Sequence, residues 1–462
     1  MLIITNATAI VIDVATESSG DLHFADAPDD AIDATGCVIT PGLVNAHHHL
    51  MQSAFRTMPG TRGVAMSHWL PTMATAYARA GVDAELAAAA ASVGIAEGLL
   101  CGVTTVADHH LTWPSGADSV AIATAVAATA RLLGGRLVFV RGAARDDPQE
   151  AAASAEAIVQ ALLPGPAGGS PGGISTPGVS AAGVSPGGVR AVPVSAAPVS
   201  PRGVSPRGVS DDGMLQLAVG PAGVHSDPRE TFELLGEVAL RHGLRRRTQA
   251  NEQVDVAIAL EKYGRRPIEL LEEWGWLADD VTLAHLCDVT SDEIGRLAAS
   301  GITATHAPGC DLPMGWGIAP VAALQAAGVV VGLGTSGGGS NDAGQLLADA
   351  RLAMQVAPLV GPPVPARAVL GMATAGSAAG LGRAELGHLR EGSAADLCVW
   401  DVSGVADAGV ADPVAGLLWA NPGRRPKHVV VAGRVVVRDY RLVTADERDL
   451  VDALNRRLAR TT

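Results

Sequence analysis

The chain has 462 residues, and its 33 Lys and Arg stand against 47 Asp and Glu for a formal net charge of −14. Such a balance releases no counterions from a phosphate backbone and argues against a general nucleic-acid binder. Aromatic residues at 3% leave little for base stacking, while 48% hydrophobic residues supply a large core. Residues 1–40 begin with MLIITNATAIVID and alternate short apolar bursts with turn residues, as a small β unit does. That opening lacks a basic leader and a small-residue cleavage site, so it reads as a strand and not as a signal peptide.

From residue 41 to 390 the texture changes. Short apolar runs alternate with Ala-rich helical stretches: VTTVAD then SVAIATAVAATARLL, LVFVRG then DPQEAAASAEAIVQALL, VTLAHL then SDEIGRLAAS, VVVGLGT then NDAGQLLADARLAMQV. Repeated strand–helix alternation predicts parallel β/α units, and about eight of them close a barrel. One stretch, 164–213, is dominated by Gly, Pro, Ser, Val and Ala with the near-repeat SPRGVSPRGVS, and reads as a low-complexity insertion before the strand MLQLAVG. Residues 391–462 return to strand texture in ADLCVWDV and HVVVAGRVVVRD and end in a helix, ADERDLVDALNRRLAR. The predicted fold is therefore α/β: a (β/α)8 TIM-like barrel with a small composite β-sandwich domain from both termini.

The cysteines, Cys37, Cys101, Cys287, Cys310 and Cys398, are dispersed without a CxxC pair, which fits a reducing compartment and not a disulfide framework. No run of about 18 apolar residues is free of Gly, Pro and charge, so no membrane span is expected. Together these features predict a cytoplasmic protein without nucleic-acid or membrane partners. Association with further copies of itself is left open.

The densest chemical signal is PGLVNAHHHL at 41–50. In a strand, residues i and i+2 share a face, so His47 and His49 point one way and His48 the other. Two imidazoles on one face at the C-terminal end of a barrel strand suit a metal, because the reactive face of such barrels lies there. A plain polar loop cluster is the alternative.

PGLVNAHHHLMQS, GLLCGVTTVADHH and EGSAADLCVWD resemble segments of the amidohydrolase superfamily, in its cytosine/guanine deaminase and chlorohydrolase-like branch. Within it, HHHLMQSAFR and the Asp108–Pro114 pattern are most similar to 8-oxoguanine deaminases. The resemblance implies one divalent metal, zinc or iron, holding a water, and a small heterocyclic substrate whose exocyclic amine or halide is replaced by oxygen. It implies metal ligands at His47, His49 and the position of Gln249. It also implies a proton-shuttling glutamate at Glu252, an oxyanion-stabilising His285, and a strand-eight position filled by Ser336. Two of these positions depart from the family's pattern: Gln249 stands for a histidine and Ser336 for an aspartate. A neutral amide and a hydroxyl are weak partners for zinc, so the metal is expected to be weakly held or absent. Asp108 and Asp342 are the nearby carboxylates available to compensate.

Other residues are candidates for the substrate pocket: Gln52 and Arg56 after the first motif, Trp69 as a wall, and His110, Arg141, His225 and His306 near strand ends. Each has a structural alternative in surface polarity, core packing or an ion pair. Three functional readings remain open. The first is a hydrolase of an amino-substituted purine, pterin or triazine, acting by deamination or dechlorination. The second is a retooled, metal-poor enzyme for a non-hydrolytic step. The third is a non-catalytic barrel.

Overall fold

The computed structural model describes residues 1–163, 192–193 and 208–460. The insertion expected at 164–213 thus lies outside the described residues up to position 207, apart from 192–193. Its last residues are held against the barrel: the Gly208 carbonyl accepts from the Leu217 amide at 2.8 Å, and the Ser210 amide donates to Leu215 at 2.8 Å.

Residues from both ends of the chain build one mixed sheet. Leu397–Asp401 pairs antiparallel with Cys37–Pro41 and with His428–Val431, while Leu2–Val11 pairs with Cys37–Pro41 and Glu17–Phe24. One face buries Leu2, Ile4, Leu22, Phe24, Ile39, Leu397 and Val399 together. Alternation puts Val38, Cys398, Trp400 and Val429 on the other face, where they join the barrel's core. A buried pair locks the two units: Arg136 Nε and Nη2 donate to the Asp396 carboxylate at 2.7 and 2.9 Å.

The second sheet is parallel throughout. Its strands are β1 (Leu43–His49), β2 (Val103–His110), β3 (Arg136–Ala143), β4 (Leu215–Pro221), β5 (Arg245–Ala250), β6 (Val281–His285), β7 (Thr303–His306), β8 (Val330–Leu333) and β9 (Ser336–Gly337). They pair in the order β8-β7-β6-β5-β4-β3-β2-β1-β9. Because β8 and β9 are separated by only two residues, the chain's own course joins the two edges. The Gly334 amide donates to His306 of β7 at 2.9 Å and the Thr335 amide to His47 of β1 at 3.1 Å. The approach requires glycine, since a Cβ on Gly334 would stand 2.7 Å from the His47 Cβ. This is the barrel expected from the sequence, and it brings the ends of β1, β5, β6, β7 and β8 to one rim.

The crossover helices form where periodic Ala-rich segments meet good caps. Asp118 and Asp147 accept from the first-turn amides of Ser119–Leu133 and Pro148–Leu162. Ser291–Ser300 starts in a reciprocal Thr290–Glu293 box. Helices Met66–Ala80 and Ala84–Leu100 lie between β1 and β2. Among the described residues no helix is long and apolar enough to cross a membrane.

Candidate active site

All seven residues of β1 are buried, as the first strand of a packed barrel must be. His47 and His49 share its inner face, with ring centroids 4.9 Å apart and edge-on. His48 turns the other way and bonds Thr335 Oγ1 through Nδ1 at 2.9 Å. The His49 Nδ1 lies 2.7 Å from the His109 carbonyl, which can only accept. The proton therefore sits on Nδ1, and the lone pair of Nε2 is free. His47 Nε2 is buried without a hydrogen-bond partner. Burial first, and then the neighbouring imidazoles, drives His47 well below its ordinary range, so it is neutral. Two neutral imidazoles with available lone pairs are the donor chemistry of a divalent ion.

The opposite wall differs. Gln249, near the end of β5, turns its Oε1 onto His285 Nε2 at 3.0 Å. An amide oxygen only accepts, so Nε2 carries a proton. His285 Nδ1 stands 2.6 Å from Asp311 Oδ1. Burial pulls the His285 imidazole down, but Asp311 and then Glu252 outweigh it and raise the group. Burial raises Asp311, yet the His285 charge holds its carboxyl below the ordinary range. The pair is thus an imidazolium clamped by a carboxylate. Ser336 begins β9 with a φ of 55° and brings no charge.

Glu252 follows β5 in a turn shaped by Asp255, whose carboxylate accepts from the Asn251 and Glu252 amides at 2.9 and 2.7 Å. That grip holds Asn251 at a φ of 56° and Gln253 at 60°. Glu252 is fully buried, and neither carboxyl oxygen has a hydrogen-bond partner. Its Oε1 is 3.7 Å from His285 Nε2. Burial pushes the carboxyl up to about 8, against the pull of His285.

A cavity of about 460 Å³ opens onto this cluster. His49, Gln249 and Ser336 line its inner end, and Gln52, Trp69 and His225 its walls. Trp69 is fixed by donating Nε1–H to Gly339 at 3.0 Å, and the Gln52 carbonyl oxygen is taken by the Gly339 amide at 3.0 Å. His225 keeps Nδ1 unpartnered, and burial and then Arg145 lower it to about 4. His47, Glu252 and His285 are not among the lining residues, and the Gln249 amide that bonds His285 forms part of the cavity wall.

Several expected pocket residues lie elsewhere. His110 packs on Trp113 and Phe139, with centroids 4.5 and 5.7 Å away, because strand parity turns it outward from the face that carries His109. Arg141 pairs with Asp146 at 2.7 Å, bonds Ser154 and covers Trp113, an internal ion pair outside the cavity's lining. His306 faces Asp311 Oδ2 at 3.4 Å and does not line the cavity. Arg56 pairs with Glu97. The two candidate carboxylates are engaged elsewhere: Asp342 holds the Thr57 amide and Arg62, and Asp108 accepts from the Leu50 amide through Oδ1 and faces His110 with Oδ2 at 3.8 Å.

The sequence reading missed four participants. His109 contributes a third ring beside His47 and His49, both 5.9 Å away. Asp311 and Asp255 orient His285 and Glu252. Arg247, on the inner face of β5 two residues before Gln249, is buried and donates only to the Ala46 carbonyl, with Nε and Nη1 unpartnered. Burial and then Arg245 lower it to about 9. Period-two alternation signalled it: Arg247 shares a strand face with Gln249.

A parallel barrel with paired histidines at the end of its first strand and a glutamate after its fifth defines the metallohydrolase class of β/α barrels. The amidohydrolase family model matches residues 38–436, and the chain belongs to that family. It is 30% identical over 438 residues to 8-oxoguanine deaminase of Pseudomonas aeruginosa, covering 91% of this chain and 88% of that protein. It is 32% identical over 444 residues to an isoxanthopterin deaminase from an unknown prokaryote, covering 91% and 84%. Atrazine chlorohydrolase from Arthrobacter aurescens TC1, solved in complex with zinc, superposes with a TM-score of 0.83 at 30% identity over 99% of this chain and all of that one.

Proposed function

We propose that this chain is a hydrolase that replaces an exocyclic amine or halide on an aza-heterocycle of the purine, pterin or triazine class by oxygen. The observation that carries this reading is Glu252. A carboxyl sealed from water without a hydrogen-bond partner costs the fold free energy, and such groups mark sites of proton transfer. It stands beside an imidazolium and close to a substrate-sized cavity.

His47 and His49 fit a divalent metal by their free lone pairs. When bound, the ion would lower the pKa of a water molecule. Gln249 and Ser336 would face it with neutral oxygens, which implies a weakly held ion. The chain's own residues do the rest. In its ionised form, which predominates above about pH 8, Glu252 takes a proton from the attacking water and returns it to the ring nitrogen or leaving group, one carboxyl acting first as base and then as acid. The protonated His285 offers Nε2–H to the developing negative charge, exchanging it from Gln249 Oε1. Asp311 keeps that ring oriented and protonated. Trp69 provides a flat wall for a planar ring, and His225 offers a polar edge within the cavity.

A second reading, a metal-poor enzyme with a non-hydrolytic reaction, is favoured by the unpaired Arg247 cation under the histidines and by the lost aspartate. A panel of amino- and chloro-substituted purines, pterins and triazines separates the two. Ammonia or chloride release that stops with a chelator and returns with zinc is the expected result. Chelator-insensitive conversion without either product would overturn the first reading.

A further inference from the structure

One donor set adjoins the paired histidines of β1, the His285 ring centroid lying 5.2 Å from that of His47. His285, Cys310 and Asp311 each offer a ligand atom, and the three atoms lie within 4.8 Å of one another. All three residues are buried. Cys310 and Asp311 sit in the helix Pro308–Met314 after β7, and His285 ends β6 with a φ of 77°, a left-handed turn that swings its ring toward that helix. Asp311 spends Oδ1 on His285, but Oδ2 is buried without a hydrogen-bond partner, and His306 Nδ1 stands 3.4 Å from it without the alignment of a hydrogen bond. The Cys287 thiol lies beside the same carboxylate. Cys310 lies within reach of the Ser336 hydroxyl.

We propose that His285, Cys310 and Asp311 form a metal site of their own, for a zinc-class ion that accepts sulfur. A thiolate, an imidazole and a carboxylate are the ligand types such an ion takes, at about 2.0–2.3 Å. The set also carries the negative charge that the rim lacks. Ser336 brings none, whereas Cys310, next to it, and Asp311 together supply two once the thiol is deprotonated. Binding exchanges the thiol proton and the His285 Nδ1 proton for the ion, so uptake releases protons to solvent. The site goes beyond the reading built on His47 and His49, with which it shares His285 and Asp311.

Cobalt(II) separates the two, because only a thiolate ligand adds an intense near-ultraviolet charge-transfer absorption to the cobalt spectrum. The full chain, stripped with a chelator and titrated with cobalt(II), is expected to develop that band. Cys310→Ser should abolish it, and the doubly substituted His47→Ala, His49→Ala chain should retain it. Cobalt bound without the band, a band that survives Cys310→Ser, or a band lost with His47 and His49 overturns the proposal. So does a chain that takes up no cobalt. The unsubstituted chain is decisive by itself when Cys310→Ser does not fold. A failure of the paired-histidine reading shows separately, as cobalt uptake that carries only the sulfur signature.

Discussion

Glu252→Gln is expected to lower turnover by about 10²–10⁴-fold, the usual worth of a positioned acid–base group, with KM little changed. The amide keeps the side chain's shape, so a loss confined to kcat isolates proton transfer from binding. The same variant has a stability signature of known sign. Burial raises the carboxyl from an ordinary 4.5 to about 8 in the folded chain. The folded state therefore holds more protons than the unfolded state between those values, and stability falls as pH rises across that window. The stabilising contribution is fully present below 4.5 and lost as pH passes through about 8. Glutamine does not titrate, so Glu252→Gln should unfold at higher denaturant than the parent at pH 9 and lose that advantage toward pH 4. A variant with undiminished turnover, or one less stable than the parent at pH 9, contradicts the assignment.

The second large effect is a gain. Gln249→His combined with Ser336→Asp restores an imidazole and a carboxylate opposite His47 and His49. Ligands of the metal itself exceed in value the ~10–100-fold in affinity that an outer partner supplies. Zinc affinity of the double variant should therefore rise by at least about 10²-fold, measured by competition with a chromophoric chelator. The Gln249 amide also releases His285 in that variant, which frees Nε2–H for substrate. Arg247 stays in place as a buried like charge and limits the gain. No rise in affinity would mean that the barrel interior rejects a cation at this rim whatever its ligands.

The fold was legible because hydrophobic periodicity and turn chemistry agree along most of the chain. The Ala-rich stretch SVAIATAVAATARLL is the helix Ser119–Leu133, between Asp118 and Gly134 caps, and LVFVRG falls within β3. NDAGQLLADARLAMQV was less readable, since its first five residues form a loop before the helix Leu346–Val356. The side-chain directions of β1 followed from parity alone. The same rule, carried to β2, separates His109 from His110, but it needs the register of a neighbouring strand to say which face is inner. Asp311 was out of reach because it lies in the helix Pro308–Met314 and its partner His285 ends a strand 26 residues earlier. Arg141 looked like a substrate contact at a strand end until Asp146 and Trp113 were seen to enclose it. Arg247 sat within the run Arg245–Arg247, which reads as solvated charge; parity puts it on the face of Gln249, and burial shows that face to be the inner one.

Zinc stoichiometry of the intact chain beside the His47→Ala, His49→Ala chain tests the central claim most directly. A difference of one zinc equivalent between the two, with turnover lost alongside it, is the outcome that paired imidazoles serving as the metal's principal hold require. Equal zinc content in the two chains, or equal turnover, would contradict it.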